Sequence, residues 1–561
     1  MKDTVERFSI TAVVTMAFTI IIAQSLAAIL YHIFEIPDPP PVFELAFASS
    51  LIILLSVPAW VKSESPRWAG LITVGLSIVG AFVIFGMVPN SIMAAGSLLI
   101  VCPLASLGGW YLIRKLPSWI NGTLKRSPIK SVLWFILIVL TTIQLVRLSS
   151  WVVDSNNNWN LGSWEPLSEN HSCMAAYVYA ADLNRQGIDN IYDLSLYPGL
   201  NPDAVTKETV DGLIPEDPYQ YPPQFLILPR FALMITNSFD IIRIAWFVIQ
   251  VIGFIILALW LASSVGGDRG KSAIWLIPAA IISFQFTSNF QYGQFHLFSI
   301  MLGITGLLLF EKKHYALGGT ALGFAILSKI TPGILLIWLM ARRKWKAVGW
   351  TMAACAAYTI IALAVVGTKP FISFFADHLP NMQSGAAFAF GEVWPDIREL
   401  MIVSNQSPQM VITRLGELGL PGMSAGLGNI FQAFYILVIV SLAVVIGLKA
   451  RHSRYSVLVG LALLNLAGLF STNAPGEYIG VGSIWLLTFM TAEFSGNVRG
   501  RIFFLVCWVF IGLALGVYLI EGVDLFPTAA VITLVSFMAM VLLNTRFALQ
   551  RPDHQASQQS L

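Results

Sequence analysis

Long apolar runs separated by short polar stretches repeat along the chain, and a run of about 18 or more residues is enough to cross a bilayer as a helix. On that pattern helices are predicted at 8–34, 43–61, 69–88, 93–114 and 131–153, then at 241–264, 272–286 and 296–310. Two short arms follow at 316–328 and 331–341, with further helices at 348–367, 429–449, 456–472, 479–494, 502–520 and 528–545. The expected fold is an all-α polytopic membrane protein, a transmembrane helix bundle of about sixteen helical segments. Polar stretches at 154–240 and 368–428 interrupt it and are expected to form outer-face loops carrying short helices.

The two short arms are the irregularity in this pattern. Between Lys312-Lys313 and Arg342-Arg343-Lys344, the apolar stretch is broken by Ser328-Lys329-Ile330-Thr331-Pro332-Gly333. A lysine at the centre of a spanning helix costs about 2.5–3.5 kcal/mol, so its position calls for a compensating role. Both flanks are basic, and basic flanks favour the cytoplasmic side. A single span would put one flank outside, whereas a short-armed hairpin puts both inside and leaves Lys329 at the turn. Each arm would be only about 20 Å long against a hydrocarbon core of roughly 30 Å. That is tolerable where the tip lies under a water-filled cavity rather than in lipid. Lys329 is expected to face that cavity.

Charge parity supports the hairpin. With the N-terminus inside, about 24 of the 33 Lys and Arg residues lie on the inner side, as the positive-inside rule requires. Reading 316–341 as one span would invert everything after it and expose the basic stretch from Arg342 to Lys346 outside. Both termini are therefore expected in the cytoplasm. At 56% hydrophobic and 11% charged, the composition is that of an integral membrane protein, and the cations have a topological role rather than a nucleic-acid one. The first apolar run is far longer than a signal peptide's, so no cleavable leader is expected. Of the four cysteines only Cys173 falls in an outer loop, so no intramolecular disulfide is expected.

The first outer loop, 154–240, is too long to be a simple connector, and long loops of this kind carry function. A helical pattern from His171 to Gln186 is closed by Gly187. A turn-rich span then leads to Tyr221-Pro222-Pro223, followed by an apolar run from Gln224 to Ile235. Pro229 and Arg230 break that run, which is expected to lie on the outer membrane surface.

Several residues could carry chemistry. Lys329 either binds an anionic group or snorkels from a helix end. Arg147 and Arg243, near the outer ends of their helices, either anchor at the interface or join Lys329 around a phosphate. Gln294 closes a tight polar turn from Phe290, and Arg414 reads equally as a solvated surface cation. Asp154, Glu169 and His171 are candidates for a general base, and each taken singly reads more readily as a solvated loop residue. No His or Cys spacing typical of a metal site occurs, so no cofactor or metal ligand is assigned, and a divalent metal is left open.

Taken together, five motifs resemble the family 87 glycosyltransferases of the GT-C superfamily. They are Ala180-Ala181-x-Leu183-x3-Gly187-x4-Tyr192-Asp193, then Tyr221-Pro222-Pro223, and Gly293-Gln294 opening an apolar helix. Gly319-x3-Gly323-x5-Lys329-x2-Pro332 comes next, and finally Asn405-Gln406-Ser407 seven residues before Arg414. The resemblance covers about 170–415. It implies a GT-C-like bundle in the inner (plasma) membrane, with its active site on the periplasmic or extracytoplasmic face. It also implies sugar transfer, mannose or another hexose or pentose, from a polyprenyl-phosphate donor to a lipid or glycan acceptor, with inversion. PimE-like mannosyltransferases are the best-known type. Under it Lys329, Arg147 and Arg243 would hold the donor phosphate, and Tyr221, Gln294, Asn405 and Arg414 would line the substrate site. Family members usually carry an Asp about fourteen residues before the glycine matched by Gly187, and Cys173 stands there. The base would then fall to Asp154, Glu169 or His171. Asn473-Ala474-Pro475-Gly476-Glu477-Tyr478 also matches the family's corresponding turn only loosely.

The chain accordingly divides into an N-terminal four-helix module (1–130), a GT-C-like core with the first outer loop (131–367), the second outer loop (368–428) and C-terminal helices with a cytoplasmic tail (429–561). Two rivals remain: a transporter or flippase for a lipid-linked substrate, and a lipid-linked glycan ligase or polymerase. Broken helices and intramembrane cations also occur in transporters, usually as inverted repeats, and no matching second half is visible. A non-enzymatic scaffold is a further alternative, raised by Cys173.

Overall fold

The computed structural model describes residues 66–87, 172–197, 210–213, 218–384, 402–449, 455–494, 498–512 and 526–549, with scattered positions from 52 to 152. The expected helices 8–34, 43–61, 93–114 and 131–153 lie wholly or largely outside the described residues. The chain forms two compact units. The first comprises Met1–His171, Asp211–Leu213 and Ser238–Ile256, and the second Ser172–Val210, Ile214–Asn237 and Leu257–Leu561.

Helices α1 (Pro66–Met87), α2 (Ser172–Arg185), α3 (Ile227–Ile235) and α4 (Phe239–Val265) come first. Next are α5 (Gly267–Ile281), α6 (Phe284–Gln291), α7 (Phe295–Glu311), the hairpin arms α8 (Tyr315–Ser328) and α9 (Gly333–Ala341), and α10 (Trp345–Val366). Short helices α11 (Lys369–Ser373), α12 (Leu379–Ser384) and α13 (Pro408–Glu417) precede α14 (Ala425–Lys449), α15 (Ser456–Gly468), α16 (Gly476–Phe494), α17 (Val498–Gly512) and α18 (Phe526–Leu549). Among the described residues four helices, α4, α10, α14 and all but the first residue of α18, are long and apolar enough to cross a membrane. The bent pair α5–α6 would make a fifth span if counted as one. The protein is an all-α membrane protein.

In the first unit, α1 turns Leu71, Ile72 and Val79 outward and buries Thr73 and Ser77. Ser77 Oγ donates to the Thr73 carbonyl at 2.7 Å, so that hydroxyl is satisfied within the helix, as a lipid-facing helix requires. At the start of α4, Asp240 lies in the first turn, where the helix dipole favours a carboxylate. It pairs with Arg243 at 3.1 Å.

The hairpin is built as charge parity predicts, with arms of 14 and 9 residues. Pro332 has no N–H to continue a helix, and Lys329 leaves α8 in an extended conformation (φ −148°, ψ 116°). Glycines seat the first arm. A Cβ at Gly319 would lie 2.6 Å from the Trp350 carbonyl carbon, and one at Gly323 would lie 3.0 Å from Ala354 Cβ. The Gly319-x3-Gly323 spacing thus brings the backbones of α8 and α10 together, the usual role of small residues between membrane helices.

One boundary differs from the sequence reading. The helix expected at 272–286 is two helices, α5 and α6, bent by 62°. Pro278 inside α5 and Ser283 in an extended conformation (φ −67°, ψ 150°) produce the break. The expected surface run from Gln224 resolves into a short 3-10 turn, Pro223–Leu226, and α3. α3 exposes Phe231, Met234 and Ile235. The second outer segment carries α11, a π-helical turn at Phe374–His378, α12 and α13.

Candidate functional site

A cavity of about 490 Å³ opens in the second unit at the tip of the hairpin. Seven segments wall it: the start of α2, the Pro218–Pro222 turn, Gln294 before α7, the Ser328–Thr331 turn, the π-turn with α12, α14 at Gln432 and Ile436, and the stretch from Phe470 to Ile479. On α2, Cys173, Ala176 and Tyr177 line it. Their i, i+3, i+4 spacing places them on one helix face.

Gln294 organises the polar wall. It precedes α7 in an extended conformation after Gly293, whose φ of +61° is one that glycine adopts without strain. Its Oε1 accepts from Tyr221 Oη at 2.5 Å and from Tyr177 Oη at 3.1 Å. Its Nε2 donates to Cys173 Sγ at 3.5 Å, and that sulfur lies 3.9 Å from Tyr478 Oη. The two phenolic oxygens are 2.9 Å apart, and the Phe295 N–H donates to Tyr177 Oη at 3.3 Å. Burial raises the pKa of Tyr177 well above the ordinary phenol value, so it stays a neutral donor.

Lys329 completes the site. Its Nζ lies 5.8 Å from the centroid of the Tyr221 ring, within the range of a cation–π contact. Among the described residues no carboxylate pairs with it. The cavity wall, as far as it is described, carries no carboxylate either. The rest of the lining mixes apolar side chains, Ile330, Leu379, Met382, Ile436 and Phe470 among them, with neutral polar ones such as Ser328, Gln432 and Thr472. Ile436 belongs to α14, which also exposes Phe434 and Leu437. The cavity therefore combines a cation, a row of neutral donors and an oily wall on a lipid-facing helix. Such an arrangement suits an amphiphile with an anionic head.

Three expected site residues thus meet at one cavity: Lys329, Tyr221 and Gln294. Asn405 and Arg414 lie behind the wall and act on it through the backbone. Arg414 is fully buried rather than solvated, and its Nη1 donates to the carbonyls of Ile402 (3.0 Å) and Asn405. Burial pushes the guanidinium down to about 9. Asn405 Nδ2 donates to the Thr472 carbonyl at 2.8 Å, and its Oδ1 accepts from the Ala474 N–H at 3.1 Å. Together they clamp the segment whose Thr472, Asn473 and Pro475 line the cavity.

Arg147 and Arg243 belong to the first unit. Arg243 is buried, paired with Asp240 and stacked 5.7 Å above the Trp151 ring. Arg147 Nε donates to Gln144 Oε1 at 3.1 Å. Asp154, Glu169 and His171 lie outside the described residues.

The sequence reading passed over Tyr177, Ser328, Tyr478 and the π-turn. Tyr177 could have been found from Cys173, since the two share a helix face. The π-turn aims Phe374 at the cavity and swings His378 inward against Tyr192, with ring centroids 4.5 Å apart. Burial pushes the His378 imidazole down to about 4.

No curated protein and no solved structure matches the chain. The model of glycosyltransferase family 87 matches residues 219–473. That stretch holds Tyr221, Gln294, the Lys329 hairpin and the Asn405–Arg414 clamp, which is most of the cavity. Over residues 219–473 the chain is therefore similar to glycosyltransferase family 87, and its apolar helices are those of a membrane protein.

Proposed function

We propose that the protein transfers a sugar, mannose or another hexose or pentose, from a polyprenyl-phosphate donor to a lipid or glycan acceptor. Transfer takes place on the extracytoplasmic face of the inner (plasma) membrane, with inversion. The observation that carries this reading is Lys329: a cation at the cavity wall with no carboxylate partner among the described residues and an apolar lining beside it. A lipid-linked sugar phosphate has the matching chemistry, with a charged head for Lys329 and a tail for the oily wall. The acceptor oxygen attacks the anomeric carbon, the bond to the phosphate oxygen breaks, and the acceptor's proton passes to a base. Negative charge grows on the leaving phosphate, and a fixed cation placed there contributes most in the transition state.

The base is assigned to one of Asp154, Glu169 and His171. Cys173 stands at the cavity where the family resemblance puts an aspartate, and a thiol is a poor substitute for that role. Tyr177, Tyr221 and Gln294 orient the sugar hydroxyls, and Lys329 holds the phosphate. Asn405 and Arg414 keep the acceptor wall in place.

The test is incubation of the purified full-length protein with polyprenyl-phosphate sugars, without nucleotide, followed by detection of free polyprenyl phosphate. Its release together with a glycosylated acceptor supports the transferase. Movement of the intact carrier across the bilayer without release would replace it with the flippase reading.

A further inference from the structure

Two turns at the far end of the hairpin have the same construction. α7 ends in Lys312-Lys313-His314 before Tyr315, and α9 ends in Arg342-Arg343-Lys344 before Trp345. In each the second residue is left-handed, Lys313 at φ +63° and Arg343 at φ +57°. The backbone bonds also correspond. Lys312 N donates to Leu308 O at 3.2 Å and His314 N to Leu309 O at 2.9 Å, while Arg342 N donates to Trp338 O and Lys344 N to Leu339 O, both at 3.0 Å. Glycine is the usual occupant of such a position, and a side chain there costs of the order of 1 kcal/mol. Both turns keep a cation instead.

The two turns also share one surface. Glu311 is within electrostatic reach of both Arg342 and Lys344 and accepts a hydrogen bond from Ser456. Two cations are already engaged: Lys312 lies 5.0 Å above the Trp260 ring and Arg342 lies 4.6 Å above Trp338. Lys313, Arg343, Lys344 and Lys346 remain exposed. Beside them Trp345 is 63% and Trp350 50% exposed, the indole placement typical of a membrane interface. Positive-inside parity puts this surface at the cytoplasmic leaflet, one arm-length of about 20 Å from Lys329.

We propose that the paired turns bind the phosphate headgroup of an anionic phospholipid of the cytoplasmic leaflet. Lys313, Arg343, Lys344 and Lys346 hold the phosphate, and Trp345 lies along the glycerol and upper acyl region. Clustered juxtamembrane cations attract anionic lipid in this way. The inference does not rest on the transferase reading.

Native mass spectrometry of the full-length protein, titrated with phosphatidylglycerol and with phosphatidylcholine, tests it. Wild-type protein should retain phosphatidylglycerol about tenfold more readily. The variant K313Q/R343Q/K344Q/K346Q should retain the two lipids equally, and the charge-preserving K313R/R343K/K344R/K346R should keep the preference. Equal retention by wild type, or an undiminished preference in the glutamine variant, would overturn the proposal. Displacement of the lipid by millimolar inorganic phosphate would overturn the lipid assignment in favour of a soluble anion.

Discussion

Replacing Gln294 with leucine keeps the volume of the side chain and removes the acceptor shared by Tyr221 and Tyr177, at 2.5 and 3.1 Å. Two phenolic protons then compete for what is left. One can bridge the two hydroxyls, which are 2.9 Å apart. The other loses its acceptor on Gln294, and Tyr221, which is half-buried on the cavity, can turn its proton to water. An unsatisfied buried hydroxyl costs about 1–3 kcal/mol, and hydration of Tyr221 should hold the loss to about 1–2 kcal/mol. The same change frees the ring over which Lys329 sits at 5.8 Å. Sugar transfer should therefore fall about tenfold, equivalent to about 1.4 kcal/mol. Thermal and denaturant unfolding in detergent, with transfer rates measured alongside, gives both quantities. Tyr221→Phe removes part of the same network, so the double variant Q294L/Y221F should lose clearly less than the sum of the two single losses. Strict additivity, or a Q294L protein as stable and active as wild type, would refute the shared-acceptor reasoning.

Two further predictions concern packing and pH. Gly319→Ala places a methyl 2.6 Å from the α10 backbone, so α8 must shift. It should lower stability by about 1–3 kcal/mol, whereas Gly349→Ala, with nothing within 4 Å of its Cβ, should keep or raise stability, by up to about 1 kcal/mol, in the same unfolding assay. His378 is held down to about 4 by burial, below an unfolded value of about 6.5. The unfolded chain therefore binds this proton first, and stability falls as pH drops from about 6.5 toward 4, by about 3 kcal/mol in total, then levels. His378→Phe, which can keep the stacking on Tyr192, should remove that part of the acid sensitivity in unfolding curves measured across this range.

Much of the site could be read from the sequence because charge in an apolar run is so unfavourable. Lys329 was located by its cost and the hairpin by the parity of the basic flanks, and the two-arm geometry follows. Gln294 and Tyr221 could be read as turn residues but not as bonded partners, because 73 positions separate them. Tyr177 was hidden because an aromatic on an apolar helix face resembles core packing, and only its tertiary neighbours distinguish it. Arg414 was open to a surface reading because a cation after a polar turn is ordinarily solvated. Its burial depends on two carbonyls presented by the chain around Ile402 and Asn405. The break between α5 and α6 was missed because Pro278 and Ser283 sit inside an otherwise continuous apolar run.

The role of Lys329 as the donor-phosphate cation is tested most directly by measuring polyprenyl-phosphate release by wild type, Lys329→Met and Lys329→Arg. Loss of a fixed charge aimed at a developing anion costs about 100- to 1,000-fold in rate. Lys329→Met should fall by that factor while remaining folded, and Lys329→Arg should keep part of the rate. A Lys329→Met protein that releases polyprenyl phosphate at the wild-type rate would contradict the assignment.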